Sequence, residues 1–358
     1  MKGEATPAAV GFRSDPDLNA VGGGDALLPL FASFQLVDVL LRVETDDAQC
    51  LSEFSSLFGR AVSKSGRAAP RVSFEASITI RGGVDSQHGL LRVSGDDLAD
   101  PAEFLLAFSS PTVPIRRLDT PGLGGTALGI GDDPTPALQF QAGDCSFRLS
   151  GRWRRILAHY LLLRLLRLRD DALFFHAASL GIRETGVLLI GPKGSGKSTL
   201  ALALAARGHN FLGDETACYQ PVSGQLLPCR RPVSIKPGRQ SAAIVDALAR
   251  GRYPGDEDGV RRVEVESLLP VPEAKPVDLG AVVFLRGFGP RAELSRFEAS
   301  REDLSALQPL ASSLVSRPAT QRVFEMVRMI SRVRTYRLLA SDPDDTAVLI
   351  EEGLGACP

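Results

Sequence analysis

The residues Gly191-Pro192-Lys193-Gly194-Ser195-Gly196-Lys197-Ser198 spell GxxxxGKS, and each position has a physical task at the phosphates of a nucleotide. Gly194 and Gly196 free the backbone to aim successive N–H groups at phosphate oxygens, and a helix opening near Lys197 adds the positive end of its dipole. Lys197 reaches the β- and γ-phosphates. Ser198 offers its hydroxyl to a Mg²⁺ that bridges them, and Thr199 completes the contact set. The blander reading, a glycine-rich turn without a ligand, is disfavoured by context. The apolar run Gly186-Val187-Leu188-Leu189-Ile190 reads as a strand before the loop, and an Ala/Leu-rich helix follows it.

Sixteen residues after Ser198 comes Asp214-Glu215, at the end of a strand that starts near Asn210. A strand-end acid can hold Mg²⁺ or take a proton from an attacking hydroxyl, and two adjacent acids can divide those roles. The alternative is a pair that opens a solvated turn, but strand ends in α/β sheets are where ligands gather. His176 lies fifteen residues before Gly191; it can carry a proton, or it can be a hydrogen-bonded core residue. Asp119-Thr120-Pro121-Gly122 copies the DxxG of GTPases, but it precedes the P-loop and no NKxD follows, so it reads as a Pro/Gly turn.

These groups need a scaffold. Residues 151–358 read as α/β: strands over 173–180 and 186–190 joined by a turn at 183–186, a helix over 198–206 closed at Gly208, and a strand into Asp214. Residues 216–220 and 225–236 read as a strand pair turning at 221–224, followed by strands at 281–285 and 293–297. A helix opens at Ser300 with Asp303 placed as in a capping box. Another spans 319–334 with Val323, Val327, Ile330 and Val333 on one face. A strand over 335–339 and a helix opened by Ser341-Asp342-Pro343 close the chain. The basic, leucine-rich segment 152–169 is either a membrane-surface helix or a scaffold helix. The second reading is preferred, because stable anchoring takes a second signal.

Residues 28–150 read as a smaller α+β domain: a helix near 49–62, an alternating strand over 72–80 and a hairpin around Ala142-Gly143-Asp144. Residues 1–27 read as a mobile tail. With 44% hydrophobic and 23% charged residues the chain reads as a globular protein, and a net charge of −1 gives no reason to expect a nucleic-acid partner. No run is apolar and long enough to span a bilayer, and MKGEATPAAVGF lacks a secretory core, so a cytoplasmic protein is expected. Cys50, Cys145, Cys218, Cys229 and Cys357 form no CxxC pair, which argues against a zinc site.

Taken together, His176-Ala177-Ala178, the P-loop, Ala206-Arg207-Gly208-His209 and Leu212-Gly213-Asp214-Glu215 resemble the catalytic domain of HPr kinase/phosphorylase in spacing and order. The likeness is greater to the HPr-kinase-related proteins of the kinase A type, through Leu226-Leu227-Pro228, Arg231-Pro232-Val233-Ser234-Ile235-Lys236 and Val282-Val283-Phe284-Leu285. The resemblance covers residues 150–358. It implies a P-loop kinase fold of the HPr kinase/phosphoenolpyruvate carboxykinase type, ATP and Mg²⁺ as cofactors, γ-phosphate transfer to a serine hydroxyl, and an oligomer. Under it Lys197 neutralises the phosphates, Ser198 and one acid of Asp214/Glu215 hold Mg²⁺, and the other acid, helped by His176, takes the hydroxyl proton.

The chain departs from the family pattern in three places. Glu215 stands where the family has a second Asp. The family's downstream Glu falls near Ser234-Ile235-Lys236-Pro237, where Lys236 can instead meet phosphate or an acidic substrate. The loop used for the phosphorylase reaction has no counterpart. The first half does not look like the amino-terminal domain of the bifunctional enzyme, so the acceptor is left open as a protein, a peptide or a small molecule. The alternatives to a kinase are an ATPase, whose LSGGQ-like signature is missing, and a nucleotide-sensing module without chemistry.

Overall fold

Val39, Leu41 and Val43 are buried while the residues between them are half-buried or exposed, the period-two pattern of a strand with one covered face. In the computed structural model this strand belongs to a sheet of eight. The structure describes residues 30–45, 48–59, 74–82, 88–94, 115–119, 126–130, 138–141, 144–148, 171–256, 258–304 and 319–355, with the single residues 158, 162, 166, 169 and 307.

The first sheet contains β1 (Leu30–Leu36), β2 (Val39–Thr45), β3 (Phe74–Gly82), β4 (His88–Ser94), β5 (Ile115–Leu118), β6 (Thr126–Ile130), β7 (Leu138–Gln141) and β8 (Asp144–Arg148). Its spatial order is β1-β2-β3-β4-β8-β7-β6-β5. Among the described residues of this sheet only β2 and β3 pair in parallel, and helix α1 (Ala48–Phe58) lies between them in the chain, as a parallel crossover requires. Phe54 and Phe58 of α1 pack on Phe34 of β1, with ring centroids 6.0 and 5.5 Å away. The strand expected over 72–80 is β3, described from Phe74 to Gly82, and the hairpin expected around residues 142–144 is the antiparallel pair β7–β8. Residues 1–27 and 120–122 lie outside the described residues.

The second sheet contains β9 (Leu173–Phe175), β10 (Ala178–Ile182), β11 (Thr185–Ile190), β12 (Asn210–Gly213), β13 (Ala217–Gln220), β14 (Gln225–Leu227), β17 (Val277–Phe288), β18 (Glu293–Arg296) and β19 (Arg334–Ala340). A separate ribbon pairs β15 (Val233–Ile235) with β16 (Arg261–Val263). The helices here with described bounds are α2 (Lys197–Ala206), α3 (Ala242–Arg250), α4 (Val265–Leu268), α5 (Ala319–Ile330) and α6 (Pro343–Gly355), and residues 301–304 are helical as well. The main path runs β12-β10-β11-β17, with β19 on the far side of β17 and β18 beyond it. It is a mixed α/β sheet. β11, β17 and β19 are mutually parallel, and β10 is antiparallel to both β11 and β12. The strands β11, β12, β17 and β19 therefore all end at the same edge.

Both faces of this sheet are covered. Val187 and Leu189 face one buried cluster with α2, whereas Leu188 and Ile190 face another with Met326 and Met329 of α5. That is why residues 186–190 read as a continuous apolar run and not as an alternation.

Three expectations are corrected. The segment 173–180 is not one strand: Ala177 N–H bonds to the Phe175 carbonyl at 2.9 Å, a three-residue turn that sends β9 to β13 and β10 to β11. Residues 225–236 are not one strand either, since β14 ends at Leu227 and Val233–Ile235 joins the separate ribbon. On α5 the inward residues are Met326, Met329 and Ile330, while Val323, Phe324 and Val327 are exposed. The flexible methionines fill the irregular space under the sheet that the β-branched positions were expected to cover.

In the segment 152–169, Ala158, Leu162 and Leu166 are helical and buried, one apolar row turned inward as expected of a scaffold helix. The buried Arg169 that follows ties the two sheets together. It binds Asp38 in the β1–β2 turn and grips Asp171 through two bonds of 2.7 and 3.0 Å. This bond to Arg169 holds the Asp171 carboxyl below the usual carboxylate range. Arg169→Ala leaves two carboxylates facing each other without their cation. Both keep some contact with water, so thermal unfolding is expected to show a loss of about 2 kcal/mol, below the cost of a fully buried pair.

Candidate functional site

The P-loop leaves β11 at Gly191 and enters α2 through Gly196, with positive φ at Gly194 (85°) and Gly196 (92°). An L side chain at either position would be strained. Gly191 is close-packed for a different reason, because a Cβ there would lie 3.0 Å from the Leu285 carbonyl oxygen as well as 2.6 Å from Ser195 Oγ. The helix start carries no side-chain cap, so its first N–H groups are directed at whatever fills the loop. The buried Lys197 crosses back over the loop, and its Nζ donates to the carbonyls of Gly191 (2.7 Å) and Pro192 (3.1 Å). Burial holds its pKa below the ordinary lysine value, against the pull of Asp214 and Glu215.

β12 ends two strands away from β11 and delivers Asp214 and Glu215 to the same edge. The two acids differ sharply. Asp214 is 3% exposed, and neither of its oxygens meets a donor at hydrogen-bonding geometry. Burial pushes its carboxyl up to about 6, opposed first by the nearby Ser198 hydroxyl. Glu215 has a left-handed backbone (φ 59°) and a partly exposed carboxylate, whose Oε2 accepts from Arg231 Nη2 at 3.4 Å.

The turn that breaks 173–180 presents His176 between β9 and β10. Its Nδ1 lies 3.2 Å from the Glu215 carbonyl oxygen, so the ring proton sits on Nδ1 and Nε2 keeps its lone pair. Although His176 is exposed, partial desolvation beside the loop, then the charge of Lys197, lowers its pKa. The imidazole is therefore neutral near pH 7 and open to a proton.

The structure brings together the sequence-derived residues: Gly191 to Thr199 as the loop and helix start, with Lys197, Asp214, Glu215 and His176 around them. Lys236 follows β15, and its charge reaches Lys197. Arg231 is a residue whose part here the sequence reading missed. It is buried and its Nε has no partner. Within Cys229-Arg230-Arg231-Pro232 the only signal was a pair of arginines in an otherwise apolar stretch, with nothing to say which of them turns to the site.

Among the described residues no group of three or more His, Cys, Asp or Glu could hold a metal by itself. Ser198 and the unpartnered Asp214 do suit a hard cation that takes its remaining ligands from phosphates and water, which is how Mg²⁺ is commonly bound beside a nucleotide. The residues present fit that group.

Comparison with known proteins gives partial matches. No protein-family model matches the chain. It is 32% identical over 76 residues to HPr kinase/phosphorylase of Aromatoleum aromaticum, covering 21% of this chain and 24% of that one. It is 34% identical over 71 residues to the Stenotrophomonas maltophilia protein of the same name, covering 20% and 22%. The match thus spans about a quarter or less of the relatives' length. A solved HPr(Ser) kinase/phosphatase from Coxiella burnetii aligns with 51% of this chain and 94% of that chain, at 17% identity and a TM-score of 0.26. In sequence, the chain is HPr-kinase-like over about a fifth of its length.

Proposed function

We propose that the protein is an ATP- and Mg²⁺-dependent kinase that moves the γ-phosphoryl group to a serine hydroxyl of a protein. The observation that carries this reading is Asp214: a buried carboxylate without a partner, beside Ser198, at the mouth of a P-loop. A protein leaves such a group uncompensated where a ligand completes it.

On this reading Lys197 leaves its carbonyl partners for the β- and γ-phosphate oxygens. Ser198 and Asp214 hold Mg²⁺, which when bound spreads the charge that builds on those oxygens. The exposed Glu215 is the group an acceptor hydroxyl can approach, and it takes the proton as oxygen attacks in line. His176, neutral and with a free Nε2, receives or relays that proton. Arg231 fixes the Glu215 carboxylate and keeps its charge countered before substrate arrives. Proximity and charge supply the catalysis, as expected where bond-making in the transition state is slight.

The acceptor is found by incubating the protein with γ-labelled ATP, Mg²⁺ and lysate, then mapping the labelled residue. Label on serine, absent without Mg²⁺, is the expected result. A folded protein that binds ATP but labels nothing overturns the reading, and free labelled phosphate without an acceptor points to an ATPase.

A further inference from the structure

Phe288 lies at the end of β17 and is 64% exposed. A single exposed aromatic ring is ordinary, and Phe324 is as open. The position of Phe288 is specific: a Cβ built on Gly196 would lie 3.3 Å from Phe288 Cζ and 3.4 Å from Cε1. The ring therefore leans on the P-loop backbone at the residue that opens α2, over a glycine that has no side chain to displace it. Gly287 (φ 137°) lets the strand turn there, and Gly289 N–H bonds to the Ala340 carbonyl at 2.8 Å, pinning the segment to the end of β19.

The sheet order gives this placement its meaning. From β11, which carries the P-loop, the acids of β12 lie two strands away through β10, on one flank; β17 and Phe288 lie on the other. A triphosphate with its γ end at Asp214 and its middle over Gly194–Ser198 has its α-phosphate end directed at the opposite flank. That flank offers a bare aromatic face and, at Gly196, no side chain in the way. Flat, apolar-faced groups stack on such rings whatever their edge pattern.

We infer that Phe288 is the platform on which the nucleobase stacks, so that the site grips a nucleoside triphosphate at both ends: acids and lysine at the γ end, an aromatic ring at the base. This rests on the nucleotide-binding reading of the P-loop. The ring supplies affinity for a planar base without reading its hydrogen-bonding edge, so purine triphosphates are expected to bind with similar strength.

The test compares Mg·ATP with inorganic triphosphate, which has the phosphates and no base, on the wild type and on Phe288→Ala and Phe288→Tyr. Phe288→Ala is expected to weaken ATP about tenfold and leave triphosphate unchanged. Phe288→Tyr is expected to restore ATP binding. If Phe288→Ala binds ATP as the wild type does, or loses ATP and triphosphate equally, the inference is overturned while nucleotide binding stands. A folded wild type that binds neither ligand overturns both readings.

Discussion

Lys197→Ala is expected to reduce phosphoryl transfer about 10³-fold, the usual scale when a preorganised charge on the transferring oxygens is removed. Lys197 is 7% exposed, and its Nζ is held by two carbonyls of its own loop. The cation is thus stored within the cradle with its water already removed, and the geometry it needs costs little when phosphate arrives. Alanine removes that charge from the transferring oxygens, and it also removes a cation that holds the β- and γ-phosphates in the resting complex, so ATP binds more weakly. Steady-state rates with saturating acceptor check the first effect, and ATP affinity by calorimetry checks the second. A variant that keeps more than a tenth of the wild-type rate would remove Lys197 from the transition state.

Asp214→Asn is expected to do two opposite things: abolish Mg²⁺-dependent transfer and make the empty protein more stable at neutral pH. The sign follows from linkage. The folded-state pKa of about 6 lies above the unfolded value of 3.8, so between those values the folded form holds the extra proton. Stability therefore falls as pH rises through that window and stays lower above it. A rise of this size corresponds to about 3 kcal/mol. The isosteric amide carries no charge to desolvate and recovers much of that amount. Thermal melts at pH 4 and pH 7.5 measure it: wild type and variant differ little at pH 4, and at pH 7.5 the variant melts higher by about 5 °C. Equal melting at both values would show that Asp214 is not strained in the fold.

The motif residues were legible because their spacing is tied to the elements that carry them. Gly186 to Ser198 is a strand, a loop and a helix in succession, and the short distance to Asp214 allows only the helix α2 and the strand β12 between them. The division of labour between the acids was not legible. That Asp214 is sealed beside Ser198 while Glu215 lies open depends on a left-handed backbone at Glu215 and on Arg231, which β14 and the chain after it bring in from sixteen residues downstream. The break at His176-Ala177 was hidden because buried strands on either side have the same composition. Periodicity sees burial and not which partner a strand pairs with. The same limit explains α5, where an i, i+4, i+7 row of β-branched residues gave as good a stripe as the Met326-Met329-Ile330 row that packs inward.

The pairing of β11 with β17 also sets an order of events at the ribosome. Ile190 lies opposite Phe284, ninety-four residues later in the chain, and β19 joins later still at Arg334–Ala340. The P-loop motif follows β10, its neighbour on one side, but emerges from synthesis long before β17 on the other side and before β19. Contacts that distant form late. The nascent chain therefore carries the nucleotide motif without its finished pocket until β17 and β19 have been made.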